Sequence, residues 1–273
     1  MSRAVALAAD RLSIADIRRS RTTTTVGRHI YLFGEVDSTN ARLRNLAQGG
    51  ACAGTVVLAE GQTAGRGRHG NVWFSPSGVN LYASVLVRPE LRAGDLGAYS
   101  LIAGLALYDA IKQFGATPSI KWPNDVLIAD KKVGATLLEC VTDRDAVEYV
   151  IFGVGVNLNV ELSVLRAALG PAGDSATTLA AATGHAIDRN AFAAAYLNAL
   201  ERWVSEWDEQ GSEAILTAWR RREILGGRRV QVQGPEAAWE GRVLGIDDHG
   251  RLWIEDTMGH QHALTGEEVH ISD

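Results

Sequence analysis

Four strand-like segments crowd into one stretch of the chain: Ser119 to Trp122, Val126 to Ile128, Val133 to Val141 and Glu148 to Val160 are rich in β-branched residues, and only turn signals separate them. No helix fits between them. Parallel neighbours need a crossover of a dozen or more residues, so this spacing predicts a largely antiparallel or mixed sheet. Upstream, Ile30, Leu32 and the Val36 region read as a strand. Asp37-Ser38-Thr39 then supplies N-cap chemistry for a helix through Leu46 that Gly49-Gly50 ends, and a strand follows at Thr55 to Ala59. Asn80 to Val87 alternates with a period of two, which predicts a half-buried strand with one wettable face. Leu96 to Phe114 is apolar at helical spacing and stops at Gly115, a long core helix. Asp188 to Glu209 and Ser212 to Ile224 read as two further helices.

After Gly226-Gly227 the pattern changes to short strands at Arg228 to Gln233, Trp239 to Leu244, Arg251 to Glu255, His260 to Leu264 and Glu268 to Ile271. Turns at Gly234-Pro235, Asp248-His249-Gly250 and Met258-Gly259 divide them, as in a small barrel. The chain is therefore expected to be α+β in three parts: an N-terminal helix and loosely ordered linker over 1–28, a mixed-sheet domain over 29–225 and a barrel over 226–273.

Composition narrows the function. With 27 basic against 32 acidic residues and a net charge of -5, the chain is not built to coat nucleic acid or anionic lipid, so any basic site must be local. Its 46% hydrophobic content over 273 residues excludes general disorder. Cys52 and Cys140 show no CxxC spacing, and neither a disulfide framework nor a zinc site is suggested. The apolar run Ala4 to Ala9 is too short for a signal-peptide core, and the uncharged stretch Leu96 to Tyr108 falls short of the roughly 20 residues of a membrane span. A soluble, cytoplasmic protein is expected.

Between Glu60 and Glu90 lie 29 residues without an acid. Arg66, Arg68 and Arg88 in this stretch are locally unopposed. Gly65, Gly67 and Gly70 allow positive φ and close approach of backbone N–H groups to an anion, while the guanidiniums add forked donors. The segment also matches G-x-G-x-x-G. It is not a dinucleotide fingerprint, because Ser75-Pro76-Ser77-Gly78 forbids the helix that motif needs.

A second constellation, Lys121-Trp122-Pro123-Asn124-Asp125 with Lys131-Lys132 beyond it, sets a lysine, an amide and a carboxylate in one turn at the sheet edge. Such a carboxylate can hold Mg²⁺ together with phosphate oxygens, and lysines can neutralise charge building on a phosphoryl group; the competing reading is a turn former and a solvated hairpin tip. Third, Phe152, Val154, Val156 and Leu158 alternate with Gly153, Gly155, Asn157 and Asn159, as expected where a ligand lies flat on a sheet or where a bulge or close helix packing demands glycine. Ser38, Thr39 and Asn40 stand at a helix N-terminus, where capping is the commoner role and ligand binding the rarer.

Together these segments resemble the bacterial biotin protein ligases. Asp37-Ser38-Thr39-Asn40, the run Gln62 to Pro76, Lys121 to Asp125, Lys132 and Gly153-Val154-Gly155-Val156-Asn157 carry the resemblance, which covers about residues 29 to 271. It implies a mixed-sheet catalytic domain of the class II synthetase and biotin/lipoate ligase type, followed by an SH3-like barrel. It implies ATP-dependent activation of biotin as biotinyl-5′-AMP, with Mg²⁺, and transfer to a lysine of a biotin carboxyl carrier protein.

By the same resemblance, Ser38, Thr39, Asn40 and Gln62 would meet the biotin head group, and Gly65, Arg66, Gly67 and Arg68 would close over biotin and adenylate. Lys132 would lie between the biotin carboxylate and the α-phosphate. Lys121, Asn124 and Asp125 would serve phosphates and Mg²⁺, with Asp125 also deprotonating the acceptor lysine. Gly155 would pack under the biotin tail, Asn157 would face the nucleotide, and Glu161 to Thr178 is a candidate cover for adenine on position alone.

Two departures stand out: Gly134 precedes Ala135 where the family has a small residue before a glycine, and Asn71 replaces a common basic residue. Residues 1–28 are too few for the DNA-binding domain of some family members, so no operator binding is expected, and a homodimer is left open. The rivals are a lipoate or octanoate ligase, disfavoured by the lack of a triple glycine, and a catalytically silent biotin or adenylate sensor.

Overall fold

A computed structural model describes residues 11–233 and 238–272. The Ala4 to Ala9 run and the Gly234-Pro235 turn lie outside these described residues. In chain order the elements are α1 (Ile14–Ser20), β1 (Ile30–Val36), α2 (Thr39–Gln48), β2 (Val56–Gln62), β3 (Leu81–Val87), α3 (Leu96–Gln113), β4 (Pro118–Lys121), β5 (Asp125–Ile128), β6 (Lys131–Asp143) and β7 (Ala146–Val156). Then come α4 (Leu162–Leu169), α5 (Leu179–Thr183), α6 (Arg189–Gln210), α7 (Ser212–Arg220), β8 (Arg229–Gln233), β9 (Ala238–Ile246), β10 (Leu252–Asp256), β11 (Gln261–Leu264) and β12 (Glu268–Ile271). Short 3₁₀ turns occupy Arg68–Gly70, Ala93–Asp95 and Gly170–Ser175.

The first seven strands form one mixed sheet in the order β1-β2-β3-β7-β6-β5-β4. Only β1 and β2 run parallel; every other neighbouring pair is antiparallel. The last five strands form a separate antiparallel sheet in the order β11-β10-β9-β8-β12, the SH3-like unit expected from the short-strand pattern.

One face of the large sheet packs through Ala83, Val85 and Val154 against α3 and α6, whose Ile102, Leu105 and Phe192 are fully buried. On the other face Leu86 and Ile151 meet Leu43 and Ala47 of α2. Strand β3 is consequently buried along its whole length, in place of the half-buried strand expected from its alternation. Alternation identifies two faces but cannot say what covers the second.

Two elements stop earlier than their composition suggests. β7 ends at Val156 because asparagines capture the departing chain: Asn80 Oδ1 accepts from the Leu158 amide at 2.9 Å, and Asn159 bonds Ile187 both as donor and as acceptor. α7 ends at Arg220, and the following residues pair beside β4, with the Ile120 amide donating to Arg222 O and the Ile224 amide to Ile120 O.

The threonine tract is also tied down rather than loose. Leu12, Ile17 and Val26 are buried, and the Glu201 carboxylate accepts from the amides of Thr24, Thr25 and Val26. Burial alone would raise the Glu201 pKa, but these hydrogen bonds outweigh it and hold the carboxyl below its usual range. Deeper in, fully buried Arg189 pairs with Glu60 at 2.8 Å, and the other Glu60 oxygen accepts from the Leu12 amide. Removing one partner of such a pair costs about 3–5 kcal/mol, so this contact locks the N-terminal segment, β2 and α6 together.

The small sheet is docked onto the large one. Trp122 Nε1 donates to Gly250 O at 2.9 Å and Arg220 donates to Ile246 O. Gly97 lets the His249 carbonyl approach so closely that a methyl group there would sit 2.4 Å from it. No helix among the described residues is long and apolar enough to cross a membrane.

Candidate active site

Strand register sets the floor of a cleft of about 350 Å³. Directly opposed residues run Lys121, Asp125, Ala135, Gly155 and Tyr82 across β4, β5, β6, β7 and β3. A second row, two residues along, runs Leu137, Gly153 and Ser84. Opposed residues share a face. The glycines expected to clear space for a ligand therefore lie together, and Ala135, Gly153 and Gly155 make the sheet concave where larger residues would fill it. Gly134 points the other way, against Leu107, so the inverted Gly134-Ala135 pair puts a methyl group on the cleft floor.

At one end the cleft is neutral and polar. Ser38 caps α2 in sequence but makes no side-chain capping bond, and with Thr39 and Asn40 it is buried against the floor. Gln62 Oε1 accepts from the Thr39 amide at 2.9 Å, and Gln62 Nε2 donates to Ser75 Oγ at 3.0 Å. Ser84 Oγ stands 2.6 Å from Asn40 Oδ1 and 2.8 Å from Thr39 Oγ1. Asn40 leans across Gly153 and the Trp73 indole across Gly155; a methyl at either glycine would lie 2.4 Å from them. Asn40 Nδ2 and Trp73 Nε1 are buried donors without a hydrogen-bond partner. Buried orphan donors are costly, and a ligand acceptor relieves them. Beneath them Tyr82 donates to Pro76 O, and burial raises its phenol well above the ordinary value, which keeps that donor protonated.

The other end is charged. Lys132 Nζ lies 2.7 Å from Asp125 Oδ1 and 5.6 Å from the centre of the Trp73 ring. Asn124 donates to Thr136 O at 2.6 Å while Thr136 N donates back to Asn124 O, so the Trp122–Asn124 turn is clamped to β6 and delivers Lys121 and Asp125 to the same edge. Thr177 N donates to Lys132 O, which brings the 170–177 segment alongside; its Ala172 lines the cleft.

The glycine and arginine loop differs from its sequence reading. Of its three glycines only Gly70 takes a positive φ, of 79°. Gly65 is required instead by space, since a methyl there would stand 2.5 Å from Ser75 Oγ and Trp73 O. The amides of Gly67, Asn71 and Trp73 bond inside the loop, to Asn71 O, Arg68 O and Gly65 O, so these N–H groups are not presented to an anion. Arg66 and Arg68 do line the cleft. Arg66 Nη2 lies 3.9 Å from Glu139 Oε1, and Arg68 Nη2 donates to Gly266 O at 2.8 Å. Arg88 does not join them: it donates to the Ala47 and Ala51 carbonyls at the end of α2.

Two of the expected site residues lie outside the lining. Gly65 packs against Ser75 and Trp73 within the loop, and Asn157 is buried with its side-chain amide donating to Thr177 O at 3.3 Å. Sequence reasoning missed Trp73, Thr136 and, from the small unit, Glu267, Val269 and His270 among the lining residues, and also Ser84, which hydrogen-bonds the lining residues Thr39 and Asn40. Trp73 and Ser84 carried a signal, one inside the conspicuous loop and one on the polar phase of an alternating strand. Glu267 and His270 had none, since only docking of the two sheets brings them near.

A family model described as Biotin/lipoate A/B protein ligase family matches residues 33–157, and one described as Biotin protein ligase C terminal domain matches residues 225–270. The chain is 35% identical over 233 residues to a biotin--[acetyl-CoA-carboxylase] ligase of Paracoccus denitrificans, covering 84% of this chain and 95% of the relative. It is 32% identical over 250 residues to the bifunctional ligase/repressor BirA of Bacillus subtilis, covering 91% and 76%. Among solved structures, the biotin protein ligase from Aquifex aeolicus in complex with biotin and ATP superposes with a TM-score of 0.76 at 27% identity, covering 90% of this chain and all of that one. The sheet, the cleft and these likenesses agree, and the chain belongs to the biotin protein ligase family.

Proposed function

We propose that the protein is a biotin–[biotin carboxyl carrier protein] ligase, which joins biotin to ATP as biotinyl-5′-AMP, releases pyrophosphate, and passes the acyl group to a lysine of a carrier domain. The observation that carries this reading is one cleft with two chemically distinct ends. Orphan donors on Asn40 and Trp73 await a neutral acceptor at one end, and Lys132 and Asp125 stand paired at the other.

A biotin head group fits the first end, meeting Ser38, Thr39, Asn40 and Gln62, with its tail running over Gly155 toward Lys132. The reaction then brings a carboxylate to a phosphate, both anionic. Lys132 and Lys121 cancel the repulsion and stabilise charge that builds on the α-phosphate, and Arg66 and Arg68 close from above. Asp125 accepts the ammonium proton of the incoming carrier lysine, which frees its lone pair to attack the acyl carbon and expel AMP. Magnesium suits the charged end: one carboxylate on an open cleft is the usual protein share of a site completed by substrate phosphates. Asp125 would hold it and so neutralise phosphate charge. The placement of Asn124 supports a role in shaping this edge.

We further read 11–225 as the catalytic unit, with the N-terminal segment built into it, and 226–273 as the small unit that completes the cleft. An enzyme spending ATP on a carboxylase subunit belongs in the cytoplasm. Intact-mass analysis of a carrier domain incubated with the protein, ATP, Mg²⁺ and biotin tests the proposal. One biotin added per carrier is expected; modification by lipoate alone, or none, overturns it.

A further inference from the structure

Glu139 of β6 stands at the rim of the cleft, and nothing in the reaction above uses it. One oxygen of its carboxylate takes Arg44 Nη2 at 2.5 Å, and the other lies 3.9 Å from Arg66 Nη2. The three groups differ in freedom. Glu139 is on a hydrogen-bonded strand, opposite Ile151, and Arg44 is on α2, whose Thr39, Asn40 and Leu43 are buried. Arg66 is on the loop. The Glu139 side chain is only 17% exposed, so its charge is less screened than that of a fully exposed carboxylate.

We propose that Glu139 parks Arg66 at the rim, and that Arg44, by neutralising part of that carboxylate, sets how readily Arg66 is released to the substrate anions. Glu139 is a positioning residue for ATP uptake. The proposal rests on the reading that Arg66 meets the phosphates of ATP. Arg66 must leave Glu139 to do so, and apparent affinity falls by the fraction of enzyme in which it is still held. Removing the Glu139 charge raises the competent fraction. Removing Arg44 leaves the Glu139 carboxylate with a fuller negative charge facing Arg66 and lowers that fraction. The two variants therefore act with opposite sign on KM, and neither touches the step after release.

The test is the initial rate of biotin-dependent ATP–pyrophosphate exchange against ATP concentration for the wild type, Glu139→Gln, Arg44→Ala and the double variant. Partly exposed ion pairs of this kind correspond to changes of about two- to fivefold. Glu139→Gln is expected to lower the KM for ATP by that factor, and Arg44→Ala to raise it. The double variant should follow Glu139→Gln, with the maximal rate unchanged throughout. A damaged fold weakens uptake, so tighter uptake by Glu139→Gln has no structural explanation. An unchanged or raised KM in Glu139→Gln, or a lowered one in Arg44→Ala, overturns the proposal while leaving the ligase reading intact. A wild type that exchanges no pyrophosphate overturns the ligase reading itself.

Discussion

The sheet edge and the arginine loop bring charge to the same cleft in opposite ways. Asp125 and Lys132 sit on adjoining strands and pair with each other inside the site. Arg66 and Arg68 sit on a loop, where Glu139 at the rim stands beside Arg66 and the Gly266 carbonyl, between β11 and β12, accepts from Arg68. A group on a strand is positioned before substrate arrives, whereas a loop group must exchange one partner for another. The sheet supplies geometry and the loop supplies closure, so substitutions in the two regions should fail differently.

The largest expected effect belongs to the sheet. Lys132→Ala should cut pyrophosphate exchange by about 10²- to 10³-fold, the range seen when one group stabilising developing charge is removed, while calorimetry still registers biotin binding. Unchanged turnover would remove Lys132 from the mechanism and the contrast with it. Next comes Gly153→Ala, whose methyl would press on Asn40. Biotin affinity measured by calorimetry should weaken by about tenfold, as overpacking of a tight site costs about 1–3 kcal/mol. Retained affinity would mean that Asn40 does not define the head-group end. The smallest effect is expected on the loop. Arg68→Ala should change the exchange rate by about a fewfold, since it removes a charge-assisted hydrogen bond to the Gly266 carbonyl on a loop, but should release adenylate early. Mass spectrometry would then find biotin on bystander lysines. A variant as selective as the wild type would show that Arg68 has no part in closure.

Much of this was legible in the sequence, for a physical reason. β-branched runs between turns define strands, and Gly153 and Gly155 on one phase of a strand define which face is cleared. Lys121, Asp125 and Lys132 fall on short, tightly paired segments whose register follows from the turns. The loop was misread in detail because glycine composition tells that a backbone can turn or approach closely, not which. Gly65 answers a contact with Ser75 and Trp73, and only Gly70 answers a turn. Arg88 looked equivalent to Arg66 and Arg68 because charge counting along the chain ignores direction.

By itself the amino-acid sequence determined the fold class, the paired lysine and carboxylate edge, and the family, because those depend on short-range pattern and residue chemistry. Tertiary structure alone decided what covers β3, where Arg66 and Arg68 rest, and that Glu267 and His270 reach the cleft. These depend on contacts between segments far apart in the chain, and a long-range contact leaves no periodicity in either segment.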